Sequence, residues 1–279
     1  MTIRTIPIDC KPLFRLLHQK LIELLNSLEA ADWHRPTVAK QWRVKDVVSH
    51  ILDGQLRVLS IQRDRYFGES GPPSGEYRDI VNWLNGLNAD WVKASKRLSP
   101  KVLVLLLTAI GDLVASHYES LDPWAEAIFP VNWAGEEQSY NWMHLAREYT
   151  EYWHHQQQVR DAVNQHGIMD SDFFYPLMDT FFQALPHTFK DVSAADGAVV
   201  AATITSDAGG TWYLQKEQAG WQLVKDMDSS PVASVAIPPE VAWKLFSKSK
   251  RPNEIIGEVQ ITGDNSLALR VLEMVSVMA

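Results

Sequence analysis

A change of hydrophobic period partway along the chain decides most of what it can fold into. Up to about residue 166 the apolar residues recur every three or four positions, and from about residue 197 the spacing is mixed, with alternation in places. Residues three and four apart share a helix face, whereas alternate residues share one face of a strand. The pattern predicts an all-α up-and-down bundle over 1–168 and an α+β domain over 169–279.

The first predicted helix runs from near Lys11 to Ala31, with Leu13, Leu16, Leu17, Leu21, Leu24 and Leu25 inward. The second starts near Trp42 and carries Val44, Val47, Val48, Ile51, Leu52 and Leu59. After a Gly/Pro-rich break at 68–75, Val81, Leu84, Leu87 and Trp91 mark a third helix, and Val102 to Tyr118 a fourth. A long fifth helix reads as capped by Ser139 and stopped by Gly167. Residues 172–189 form a helical, aromatic-rich connector. Alternation around Val200–Ile204, Trp212–Leu214 and Trp221–Leu223 then reads as an antiparallel meander. Pro239 opens a helix, a strand lies near Val259–Ile261, and Asp264 caps a final helix.

Composition narrows the classes of function. Hydrophobic residues make up 46% and charged residues 22%, so a sizeable core is available. The net charge of −8 and the lack of any basic tract argue against nucleic acid as a partner. The longest apolar stretch, from Val102 to Ile110, is too short for a membrane span and is expected to be a buried helix segment. A lone cysteine, Cys10, and the absence of an apolar leader favour a reducing cytoplasm. The partner expected is a small-molecule substrate, with monomer and homodimer both compatible.

Chemistry-bearing residues gather on two of the helices. Glu151 and His155 stand four apart on the long fifth helix, close enough for a carboxylate oxygen and an imidazole nitrogen to reach one ion. A third imidazole from another helix would leave positions open for water or substrate, as in catalytic zinc sites; iron and nickel suit the same donors. The plain alternative is a solvated face, because Glu151 and His155 lie off the Trp142–Tyr149–Gln156 stripe, in a row with His144 and Glu148. His50 has the same ambiguity within the row Asp46, His50, Asp53, Arg57: an inward ligand with Asp53 beside it, or an exposed face with an ordinary Asp53–Arg57 pair. His154 reads as a surface or packing residue. No phosphate loop, cysteine pair or nucleophile elbow is present.

Two segments carry a family resemblance. Trp42 to Asp64 (WRVKDVVSHILDGQLRVLSIQRD) and EYTEYWHHQQQVRDAV resemble the metal-binding segments of the DinB-like superfamily. The closest branch is the one containing mycothiol-dependent maleylpyruvate isomerase. The resemblance implies His50, Glu151 and His155 as ligands of a divalent metal, zinc foremost with nickel or iron as alternatives. LMDTFFQALP, the Trp-bearing meander and ITGDNSLALRVLEMVS are similar to that branch's sterol-carrier-like C-terminal domain. The implied activity is metal-dependent transfer or isomerisation that activates a low-molecular-weight thiol or water, with Asp53 and Arg57 at the reacting end. Arg57, Arg63 and Arg160 are candidates to hold an anionic substrate. A metal-dependent hydrolase and a non-catalytic metal-binding or lipid-carrier module are the rival readings.

Overall fold

A computed structural model describes residues 5–225, Met227 and residues 229–277. The chain divides into two compact units. One takes the chain up to Phe129 and again from Ser139 to Ile168; the other takes Pro130–Gln138 and the chain from Met169 onward.

The first unit is helical: α1 (Leu13–Ser27), α2 (Val44–Arg57), α3 (Tyr77–Ser95), α4 (Pro100–Ser120) and α5 (Asn141–Val163). Its core forms where the inward rows of α1, α2, α4 and α5 meet: Leu21, Leu24 and Leu25 against Val47, Val48, Ile51 and Leu52, then Leu103, Leu107 and Val159. Fully burying a side chain of this size contributes roughly 1.5–3 kcal/mol, so this apolar layer holds the helices together. Arg15 on α1 clamps the outer side of α4 through Asp112 and Glu119.

Several details differ from the sequence reading. The first helix is shorter than Lys11 to Ala31, and its Leu16 is 49% exposed. The apolar run in α4 is not a buried segment. Val102, Leu105 and Leu106 are exposed, with Leu105 at 65%, because only the Leu103, Leu107, Gly111, Val114 and Tyr118 face packs inward. Ser139 does not cap α5; Tyr140 occupies that position and its side chain makes no cap bond. Gly167 does not end the helix either, since Asn164 takes the left-handed conformation just past Val163. Finally, α2 does not simply stop. Its last turn widens into a π-helical stretch over Val58–Arg63.

At Gly111 the backbone of α4 lies against the His18 imidazole, and a built Cβ would stand 2.0 Å from His18 Nε2. The ring cannot swing away freely, because its Nδ1 is 2.6 Å from the Tyr152 hydroxyl of α5. Gly111→Ala is therefore expected to destabilise the bundle by about 2 kcal/mol through overpacking. Thermal melting checks this; an unchanged Tm would refute the tight contact.

The second unit holds a five-stranded sheet in the order β3-β2-β1-β4-β5. The strands are β1 (Val199–Ile204), β2 (Gly210–Glu217), β3 (Gly220–Val224), β4 (Ala233–Ile237) and β5 (Gln260–Gly263). The expected meander accounts for β1, β2 and β3, but β4 was not foreseen; it runs parallel to β1, so the sheet is mixed. Helices α6 (Ser171–Phe182), α7 (Leu185–Thr188), α8 (Pro239–Phe246), α9 (Pro252–Ile255) and α10 (Asn265–Val271) complete the unit. Phe182 of α6 stacks on Trp212 at 4.3 Å between ring centroids, and the Trp212 indole N–H donates to Asp179. Asp264 caps α10 as expected, accepting from the Ser266 and Leu267 amides.

Candidate functional site

The helix carrying His50 is fixed on both sides. At its start the Asp46 carboxylate accepts from the Arg43 amide at 3.0 Å, satisfying an amide that the helix leaves open. From α3, the Trp91 indole N–H donates at 2.8 Å to the carbonyl of Ser49, the residue next to His50. These bonds set the rotation of α2, and with it the direction of His50.

His50 meets α5 at His155. The two imidazoles stand edge to face, with centroids 4.5 Å apart and planes at 81°. His155 Nε2 is 3.4 Å from a Glu151 oxygen. The Trp42 ring lies 4.8 Å from the His50 ring and 6.4 Å from that of His155, covering both with an apolar wall. Thus the three residues proposed as ligands gather around His155.

Hydrogen-bond directions show what these groups can still do. The Gln158 amide donates to His154 Nε2, and its carbonyl accepts from His155 Nδ1, both at 3.0 Å. With Nδ1 turned to Gln158, His155 directs Nε2 toward the Glu151 carboxylate, so that both atoms lie where one cation could meet them. His50 adds a second donor atom in want of a partner: its Nδ1 is buried with no hydrogen bond. Burial, with the neighbouring His155, Arg57 and His154, holds the His50 pKa well below the ordinary value, so this imidazole is neutral at pH 7. Neutral imidazole is the form that binds a metal. Among the described residues, no three His, Cys, Asp or Glu side chains already stand close enough to hold an ion together. The donor chemistry fits a metal; the contacts present are pairwise.

Asp53 and Arg57 continue the His50 side of α2. They pair at 2.9 Å, and the same Arg57 nitrogen donates to Asn88 of α3 at 3.0 Å. Unlike the exposed pair that spacing alone allows, this one is largely sheltered, with Asp53 buried. Burial raises the Asp53 pKa and Arg57 lowers it, with burial the larger effect. Arg57 Nε is buried without a partner. Arg63 is tied up with Asp64 at the surface, and Arg160 donates to the backbone carbonyls of His166 and Lys20, which makes it a brace between α5 and α1.

The row holding Glu151 and His155 is not a solvated face. Around α5, His144, Thr150, His154, Gln156, Gln157, Gln158 and Arg160 are all buried. His154 in particular is no surface residue. Helical periodicity misread this helix because it is wrapped on nearly every side, and buried amides and imidazoles stand where a surface helix would carry charges. Residues missed as participants include Trp42, Gln158, Asn88 and Gln62. Trp42 and Gln158 lay inside segments already singled out, whereas nothing local marks Asn88.

The family model described as mycothiol maleylpyruvate isomerase N-terminal domain matches residues 14–160. Crystal structures of the mycothiol-dependent maleylpyruvate isomerase and of a histidine-to-alanine mutant of it align with 90% of this chain and 91% of their own. Each does so at 10% identity and a TM-score of 0.53. The fold of this chain is therefore that of those proteins. A ubiquinone synthesis protein described as UbiJ-SCP2 aligns with 36% of this chain and 90% of its own, at 18% identity and a TM-score of 0.26. No curated protein matches the sequence.

Proposed function

The chain belongs to the mycothiol maleylpyruvate isomerase N-terminal domain family, and from that premise we propose that it is a thiol-dependent transferase or isomerase acting on an electrophilic small molecule. Its centre is a divalent metal site, zinc foremost, held by His50, Glu151 and His155. The observation that carries the metal is the His155 contact set: His50 edge-on at 4.5 Å, Glu151 at 3.4 Å, and a buried His50 Nδ1 without a partner. A bound divalent ion lowers the pKa of a coordinated thiol or water, so that a nucleophile exists at neutral pH.

The chain's own residues do the rest. Gln158 keeps the His155 proton on Nδ1, leaving Nε2 as a donor atom. Trp42 shields one side of both imidazoles from water, which strengthens every charge interaction beside it. Arg57, braced by Asp53 and Asn88, supplies a positive charge on the His50 side of α2 to orient an anionic group of the substrate. The thiol gives its proton to water and its sulfur bonds to the electrophilic carbon; in transfer the displaced group leaves with the bonding pair, and in isomerisation the C–S bond breaks again and regenerates the thiol.

The test is an assay of a model electrophile with and without a low-molecular-weight thiol, next to ester and amide turnover. We expect turnover to need the thiol, with a rise of about a hundredfold or more over the uncatalysed thiol reaction. Ester or amide hydrolysis without thiol would replace this reading by a metal-dependent hydrolase.

A further inference from the structure

A second polar cluster lies along the same face of α5, and its bonds form a closed ring. Arg147 has only N–H groups, so its Nη2 donates to His144 Nδ1 at 2.8 Å. That leaves the His144 proton on Nε2, which donates to Gln62 Oε1 at 3.0 Å. The Gln62 amide donates to Glu148 Oε1 at 3.2 Å, and Arg147 donates to the same oxygen at 2.6 Å. Tyr118 of α4 holds the other Glu148 oxygen at 2.9 Å. Every link has one allowed direction, so the ring has a single geometry.

Three members come from α5 and one, Gln62, from the π-helical end of α2. In α-helical register Gln62 would stand about 120° around the axis from His50. The wider π turn closes much of that angle, letting Gln62 reach α5 as His50 does. Such turns interrupt a helix at a cost in regularity and recur at functional sites. Buried Gln62 and His144 would pack more simply as apolar residues, but apolar contacts tolerate sliding, whereas a hydrogen-bonded polar ring fixes distance and register, even with Arg147 Nε left without a partner. Glu148 lies three residues before Glu151, about 4.5 Å along the axis.

We propose that the ring of Gln62, His144, Arg147 and Glu148 is a positioning device that sets the separation and register of α2 against α5 where His50 meets His155. It rests on the metal-site reading for its purpose, but its geometry is testable without metal. Gln62→Met keeps the volume and breaks the links to His144 and Glu148; His144→Leu breaks the links to Gln62 and Arg147. Leu107→Ala, in the apolar core of α4, serves as a control of lowered stability. In metal-free protein the nuclear Overhauser contact between the His50 and His155 ring protons is expected to be lost in both ring variants and kept in Leu107→Ala. Titration with zinc alone is expected to show about tenfold weaker binding in the ring variants only. Ring contacts retained in the variants, or changes equal to those of Leu107→Ala, would overturn the proposal. If wild type binds no zinc but the ring variants lose the His50–His155 contact, the positioning role stands and the metal reading falls.

Discussion

Substituting His155 by alanine is expected to reduce bound zinc from near one ion per chain to below about one tenth, while far-UV circular dichroism stays close to wild type. His155 is the hub: it is the residue in contact with both Glu151 and His50, and Gln158 fixes its tautomer. Its removal leaves two donors on different helices with nothing between them. His50→Ala should lose the metal as fully, since it deletes the sole donor from α2. Neither residue is needed for the helices, whose core lies in the Leu21, Val48, Leu52, Leu103 and Leu107 layer. A further arm separates a metal site from an ordinary Glu–His ion pair. Chelation should lower the Tm of zinc-loaded wild type, because an ion bound only by the folded state stabilises it, and should leave His155→Ala unmoved. Full metal occupancy in both variants would sink the site.

The sequence was most legible where one face of an element is dry and the other wet. Strand β2 alternates in this way, whereas β1 is buried almost throughout, and the Asp264 cap and Pro239 helix start stand where turn chemistry puts them. Strand β4 escaped notice because it is five residues of mostly small side chains, ASVAI, directly before two prolines. The π turn was also invisible. Val58 and Leu59 are buried much as an α-helix would bury them, so the extra residue per turn leaves no mark in the apolar spacing. For α4 the error ran the other way: an unbroken apolar run implies burial all round, yet half of the helix faces water.

The sequence names the residues of the candidate site but not their surroundings. Four-residue spacing put Glu151 and His155 on one face, and similarity to a known family, not spacing, attached His50 to them. Periodicity alone favoured a solvated row, and the structure shows why that inference fails. On a helix whose polar residues bond to other buried polar residues, the hydrophobic stripe marks only one of the inner sides. Arg57 illustrates the same limit, since its partner Asn88 is thirty-one residues away on α3.

The ring on α5 also dictates how the fold responds to acid. Burial, then Arg147, hold the His144 pKa down at about 4, against an ordinary 6.5. Between those values the unfolded chain carries a proton on this histidine and the folded chain does not, so stability falls as pH falls and the loss is complete near pH 4. The size of the shift corresponds to about 3 kcal/mol. Glu148 follows in the same direction: burial pushes its carboxyl up, but Arg147, His144, Tyr118 and Gln62 outweigh it and hold it below the ordinary carboxylate value. Its contribution is present above that ordinary value and is lost as pH falls further. His50 and His154 are held low by burial too, so wild type alone does not isolate the ring. His144→Leu does. At pH 7 it should be less stable than wild type by about 1–3 kcal/mol, because Arg147 and Gln62 lose a partner. As pH approaches 4 the protonated wild type loses that same advantage, and the two urea-unfolding curves should converge. Parallel curves across pH 7 to 4 would show that His144 does not titrate as its place in the ring demands.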